Sequence, residues 1–275
     1  MGLRFKWTFL LFDMRVITLT TDFGISDWYV ACMKGVMLRI NPEIQIVDVT
    51  HLCPDQDVLR GSFILANADY FPEGTIHVAV VDPGVGSDRE AIIVKLSNNQ
   101  FYICPNNGLL SFLLQKYSII DSYLIENPNY YSRPNISSTF HGRDIFAPAA
   151  AHLSLGINPS DFGRPLNTLI QLNLSAPTTT DSSVQGKVIY IDKFGNLISN
   201  IHRSILSLPI VSCSIGAHTI SNIGSTYSDV SPGSSLVLFS SEDYVEISIN
   251  QGNAQVSFSA SISSAITLRL LVNNI

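Results

Sequence analysis

Two polar clusters in this 275-residue chain bring together side chains that can accept a proton or grip a polar ligand. The first arises where apolar runs give way to polar residues. Val16–Thr20 runs into Thr21-Asp22-Phe23-Gly24, Ile44–Val49 into Thr50-His51, and Ile76–Val81 into Asp82-Pro83-Gly84-Val85-Gly86. If these runs are parallel neighbouring strands, Asp22, His51 and Asp82 converge on one rim, since ligands of open α/β sheets bind beyond the carboxyl ends of the strands. Carboxylates and an imidazole are the usual groups for general acid–base work. The second cluster is Thr139-Phe140-His141-Gly142-Arg143-Asp144, ahead of an apolar helix. Asp144 falls in the first turn of that helix, where a carboxylate complements the helix dipole. Plainer readings exist for each residue alone: Asp-Pro-Gly is a strong turn signal, and a His before a helix is ordinarily a backbone-bonded surface residue. Two aspartates and a histidine at matched strand ends favour a shared site.

Other chemistries find less support. DPGVGSDRE has the glycines of a phosphate loop, but neither G-x-G-x-x-G nor G-K-[ST] follows, so no nucleotide phosphate site and no cofactor is expected. Asp22, His51, Asp82 and Asp88 form none of the recognised short metal-ligand spacings, and no metal is expected. Cys32, Cys53, Cys104 and Cys213 sit among apolar neighbours without a C-x-x-C pair, which reads as reduced buried thiols in a cytoplasmic protein. A formal net charge of −6 lacks the basic footprint that nucleic acid or an anionic membrane needs. No apolar run is long enough to span a bilayer. The apolar stretch Trp7–Phe12 is short and has no cleavage site after it, so residues 1–13 read as an extension and Met14 as an alternative start.

The elements that must position these residues alternate. From Arg15 to about Gly156, strand patterns interleave with helical ones, the signature of a mostly parallel sheet with flanking helices. Tyr29, Met33, Val36 and Ile40 follow helical spacing up to Asn41-Pro42, and Leu59, Phe63, Ala66 and Tyr70 mark a second helix. Two short strands flank the Asn98-Asn99 turn, and helices follow near Leu109–Gln115 and Ile145–Leu153. After Leu174 the pattern becomes purely β, with Val188–Ile191, Leu236–Phe239, Val245–Ile249 and Ile266–Leu271 the clearest strands. The expected organisation is an α/β domain over residues 14–174, a polar linker over 175–183, and a small all-β barrel-like domain over 184–275.

Several long motifs occur in a fixed order: TTDFG with Asp27-x-Tyr29-Val30 and Met33-Lys34-Gly35, then VDVTH, FPEGTIHVAVVDPGVGSDR, FHGRDIFAPAAAHL, IDKFGN and SS…VEISINQGNA. By these motifs the chain, from Met14 to about Ala254, resembles the S-adenosyl-L-methionine hydrolases. These are also called SAM hydroxide adenosyltransferases and are relatives of the fluorinase and chlorinase enzymes. The resemblance implies hydrolysis of S-adenosyl-L-methionine to adenosine and L-methionine, with Asp82, Arg89 and His141 handling the water. The halogenating relatives place a Tyr where Asp82 stands, and the fluorinase a Ser where Gly142 stands, so the resemblance is to the hydrolase branch.

The same resemblance implies that Asp22 grips the ribose hydroxyls and that Asp27 and Asp192 lie near the methionine part. It gives Asn196 and Asn250 ligand contacts, Phe194 a place against the adenine or in the core, and Ser240 a methionine contact. The stretch S-S-E-D-Y around Ser240 is one residue longer than the usual pattern. A homotrimer with sites shared between neighbours is implied as well. His141 and Asp82 are each candidates for the proton acceptor, with Arg89 setting their protonation states or stabilising developing hydroxide. Alternative functions are a non-catalytic sensor of adenosine or S-adenosylmethionine and a halide adenosyltransferase.

Overall fold

The computed structural model describes residues 16–272; the extension over residues 1–13 and Met14 lie outside them. The chain divides between Leu172 and Asn173 into two compact units.

In the first unit, β1 (Val16–Thr21), α1 (Tyr29–Ile40), β2 (Gln45–Thr50), α2 (Val58–Ala66) and β3 (Ile76–Val80) follow one another as strand and helix. β4 (Ala91–Leu96), β5 (Phe101–Pro105), α3 (Leu113–Lys116), β6 (Ile119–Leu124) and α4 (Ala147–Ser154) complete it. Among the described residues the sheet order is β2-β1-β3-β5-β4-β6. The first four strands are mutually parallel, and β4 runs antiparallel between β5 and β6. The sheet is therefore mixed, with an antiparallel flank built by the hairpin at Asn98-Asn99. β3 is buried at every position and β1 at all but its first, as central strands covered on both faces must be. One face packs Met33 and Met37 of α1 and Ala147, Ala149, Ala150, Ala151 and Leu153 of α4 against Ile17, Leu19, Ile76 and Val78. α2 begins where Asp57 accepts from the Arg60 N–H at 2.8 Å, satisfying one of its free amides.

The second unit comprises β7 (Thr178–Thr179), β8 (Ser183–Ile191), β9 (Leu197–His202), β10 (Ile210–Ile215), β11 (His218–Ile220), β12 (Ser235–Phe239), β13 (Tyr244–Ile249), α5 (Ala254–Ser257) and β14 (Ala265–Leu270). Its order is β11-β10-β14-β8-β9-β13-β12, with β7 on β8, and these pairings are antiparallel. Ile223, just past β11, bridges to Val237 of β12. That contact brings the two ends of the order together into a nearly closed barrel around Val184, Val188, Leu197, Ile201, Val237 and Leu268.

One polar chain crosses the first core. His77 of β3 is fully buried; its Nδ1 lies 2.7 Å from Thr18 Oγ1, its Nε2 3.1 Å from Gln100 Oε1, and its ring stacks on Tyr102. Burial pushes its pKa down from 6.5 to about 4, against the opposing pull of the Gln100 bond and the Asp69 carboxylate. Between those values the unfolded chain binds a proton that the folded chain does not, so stability is fully present above 6.5 and falls as pH drops toward 4. A shift of this size corresponds to about 3 kcal/mol. Denaturant unfolding of wild type and His77→Phe across that range is expected to show a steeper acid loss in wild type, and equal losses would refute the account.

Candidate active site

The seven-residue interval between Asp82 and Arg89 is the span of a doubled turn. Val85 N–H donates to Asp82 O (3.2 Å), then Ser87 N–H and Ser87 Oγ both donate to Gly84 O (3.1 and 2.6 Å). The chain thus returns at the start of β4 with Arg89 facing Asp82. Gly86 takes φ +80°, and a Cβ there would collide with the Ser138 carbonyl, so only glycine fits. Arg89 Nε and Nη2 donate to Asp82 Oδ1 and Oδ2 at 3.1 and 2.6 Å, a two-pronged pair with side chains only 7% and 4% exposed. The same Nη2 lies 2.9 Å from His141 Nδ1, and the guanidinium stacks over Phe146 at 5.2 Å.

His141 enters from a different part of the chain. The apolar helix expected at Ile145–Leu153 is preceded by a π-helical turn, Gly142–Phe146, before α4 continues. Such turns occur disproportionately at functional sites. Asp144 does more than complement a helix dipole: fully buried, it accepts from Ser132 Oγ (3.0 Å), Ser137 N–H (2.8 Å) and Arg143 Nε and Nη2 (2.7 and 2.9 Å). These bonds tie the strap ahead of His141 to the turn that carries it. Phe23 packs over Gly142, where a Cβ would sit 3.1 Å from the Phe23 ring and 3.2 Å from Met33 Sδ.

Asp22, Asp82 and His141 line one cavity of about 230 Å³ together with Phe23, Gln56, Val85 and Thr139. Asp22 Oδ2 accepts from the Gln56 N–H at 2.9 Å, and Gln56 is held at φ +57°, an uncommon backbone conformation for a side-chain-bearing residue. Burial raises the Asp22 pKa above its ordinary value; the nearby Asp55 and Asp82 carboxylates push the same way and the Gln56 bond opposes them. His141 moves down from 6.5, first through burial and then through the Arg89 cation, against the pull of Asp82 and Asp144. It is therefore neutral at neutral pH. Arginine has no acceptor, so His141 Nδ1 must accept from Arg89 and the ring proton resides on Nε2. Among the described residues no group of three or more His, Cys, Asp and Glu is arranged to hold a metal ion.

The second unit carries its own cavity of about 480 Å³, lined by Asp192, Phe194, Asn196, Tyr227, Ile249, Asn250, Gln251 and Gly252. Asp192 Oδ1 accepts from the amides of Phe194 (2.8 Å) and Asn196 (2.9 Å), and Oδ2 from Asn196 Nδ2 (2.8 Å). This closes the IDKFGN turn and leaves Phe194 70% exposed, an aromatic face held outward. Tyr227, whose OH donates to buried Glu246 (2.9 Å), lines this cavity; no motif in its surroundings marked it. Two other expected site residues line neither cavity. Asp27 is exposed ahead of α1 and lines neither cavity. Ser240 closes the β12–β13 turn, its N–H donating to Tyr244 O (2.8 Å) and its Oγ accepting from Tyr244 N–H (3.3 Å), at the opposite end of β13 from Asn250.

The first unit thus carries a buried carboxylate–guanidinium–imidazole trio, and a small antiparallel barrel follows it in the chain. Residues 17–163 match the model of the SAM hydroxide adenosyltransferase N-terminal domain and residues 186–267 that of the C-terminal domain. The chain belongs to the SAM hydroxide adenosyltransferase family. It is 35% identical over 241 residues to an (R)-S-adenosyl-L-methionine hydrolase of Salinispora arenicola, covering 86% of this chain and 91% of the relative. A fluorinase of Actinoplanes sp. is 30% identical, over 70% and 73% of the two chains. Among solved structures, an uncharacterized conserved protein from Thermotoga maritima superposes with a TM-score of 0.86 at 33% identity, covering 92% of this chain and 99% of that one.

If Arg89 holds His141 neutral, Arg89→Gln removes both the cation and the Nδ1 donor. An NMR titration of the His141 ring should then show its pKa moved upward relative to wild type, while an unchanged or lower value would contradict the shared-guanidinium geometry.

Proposed function

We propose that this protein is an S-adenosyl-L-methionine hydrolase that forms adenosine and L-methionine by in-line attack of water on the ribose 5′ carbon. The observation that carries this reading is the trio Asp82–Arg89–His141, of which Asp82 and His141 line a cavity that Asp22 also lines, in a chain similar to named hydrolases over most of its length. The water oxygen bonds to C5′ as the C5′–S bond breaks, and its electron pair returns to sulfur, so the sulfonium leaves as neutral methionine thioether. That leaving group needs no acid. The difficulty lies in the nucleophile, since water surrenders its proton only at a pKa near ~15.7 in bulk.

The geometry supports a division of labour. Neutral His141, with its proton on Nε2, donates to the water oxygen and fixes its position. Asp82 retains lone pairs beyond the two that Arg89 engages, and it accepts the proton, which then passes to solvent. Arg89 holds both groups and balances the charge. Asp22 takes the ribose hydroxyls, as an acceptor-only carboxylate facing two donors.

We assign the protein to the cytoplasm, which its four unpaired cysteines suit. Among the described residues no helix is long and apolar enough to cross a membrane. The chemistry is proposed to run without metal. Assembly as a homotrimer is supported by the exposed Ile25 (79%), Trp28 (66%) and Leu52 (66%) beside Asp22, apolar area that another copy would cover. Sedimentation should return three chains per particle; a monomer would overturn that part.

Purified protein incubated with S-adenosylmethionine and a chelator should release adenosine and methionine, and in ¹⁸O-water the label should appear at the adenosine 5′ oxygen. Thermal stabilisation by ligand without turnover would replace the hydrolase with a sensor, and a 5′-halo-adenosine product would replace it with a halide transferase. Asp82→Asn is expected to lose about 10²-fold or more in kcat, the usual worth of a general base. His141→Gln, which keeps an N–H donor, should retain more activity than His141→Ala. Equal losses would argue that His141 takes the proton itself.

A further inference from the structure

His51, expected on the rim with Asp22 and Asp82, does not line either cavity. Its ring is only 7% exposed and faces protein groups on both sides. Nδ1 lies 2.9 Å from Thr21 Oγ1, and that same oxygen accepts the Phe23 N–H at 3.2 Å. On the other side, Nε2 lies 3.0 Å from Asp48 Oδ1, close enough for electrostatic contact though off the line of a good hydrogen bond. Asp48 is in turn gripped by Lys34 Nζ at 2.6 Å. Two backbone bonds join the same segments: Gly24 N–H donates to His51 O (2.8 Å) and Cys53 N–H to Thr21 O (3.2 Å).

These contacts bracket Asp22 from both sides, through Thr21 before it and Phe23 and Gly24 after it. They are needed where they occur. The parallel ladder between β1 and β2 slips register between Leu19 and Thr20 and resumes with the pair Thr20–Thr50, beyond which regular pairing with β2 does not continue. From there, alongside the Thr21–Val80 pairing with β3 and the Gln56 N–H bond to Asp22, the turn that aims Asp22 is tied to the β2 side by the His51 ring, the Thr21 hydroxyl and the two backbone bonds.

We infer that His51 is a positioning residue that sets the Asp22 carboxylate for the substrate's ribose diol, acting through Thr21 and the Phe23 amide. The inference rests on the proposed ribose contact of Asp22. A residue of this kind should affect how well substrate is held rather than how fast the bond breaks, and its effect should vanish when Asp22 is gone.

A double-mutant cycle tests this directly. KM and kcat for S-adenosylmethionine are measured for His51→Ala, Thr21→Val, Asp22→Ala and the two double variants, with circular dichroism reporting the fold. His51→Ala and Thr21→Val are each expected to raise KM about tenfold with kcat within about twofold, a modest coupling for hydrogen-bonded neighbours. His51→Asn, whose carboxamide can reach Thr21, should restore part of the loss. In the Asp22→Ala background neither substitution should raise KM further. Wild-type KM in His51→Ala, or KM increases that multiply with that of Asp22→Ala, would overturn the inference. If His51→Ala fails to fold, the near-isosteric Thr21→Val decides the question alone. Wild-type KM in Asp22→Ala would instead remove the ribose contact, a failure of the underlying reading that is visible in that single variant.

Discussion

The buried Arg89 guanidinium is the constraint on which the site depends. Removing an ion pair from water costs several kcal/mol per ion, repaid only when geometry is good and the remaining donors are used. Here one edge of the guanidinium meets both oxygens of Asp82, and Nη2 also serves His141. Three separated pieces of chain are thereby locked together: the turn after β3, the first residues before β4, and the π-helical turn before α4. Breaking such a pair by deleting one partner ordinarily costs about 3–5 kcal/mol, because the other charge stays buried. Arg89 Nη1 is buried with no hydrogen-bond acceptor among the described residues.

The shared guanidinium also constrains the protonation of His141, which residue type leaves open. An imidazole and a carboxylate near a reacting water are each plausible bases. Arginine offers only donors, and it occupies Nδ1, so the ring's second nitrogen must carry the proton. The cation further disfavours imidazolium, in the same direction as burial. Nδ1 is thus held as the acceptor of the Arg89 N–H, and Nε2 is left as the ring's donor.

Much of this was legible in the sequence, and the illegible parts have physical causes. β1 and β3 announce themselves because strands covered on both faces must be continuously apolar, and the Asp-Pro-Gly and Asn-Asn turns mark their own positions. β6 was missed because Ile119, Ile120 and Asp121 are exposed at the sheet edge, so no period-two burial pattern appears. β9, β10 and β11 are short, serine-rich or interrupted, and only their partners define them. The direction of His51 was beyond reach: the residue type and strand-end position fit a ligand contact, while the groups beside the ring, Thr21 Oγ1 and Asp48, are brought there by tertiary structure. Asp27 and Ser240 came from motif position alone, and within each unit the structure leaves them away from the cavities.

The strand order explains why the two carboxylates meet at all. From β1 the chain lays β2 on one side, then crosses to place β3 on the other, so β1 and β3 are neighbours whose following loops part in opposite directions. A crevice must open beyond their carboxyl ends, the position where open α/β sheets bind ligands. Thr21 pairs with Val80, which sets Asp22 one residue and Asp82 two residues past paired positions on adjacent strands. Two like charges so close would repel, and burial raises Asp22 further. Arg89 answers one of them directly, while Asp22 faces the cavity with the Gln56 N–H as the donor to its carboxylate.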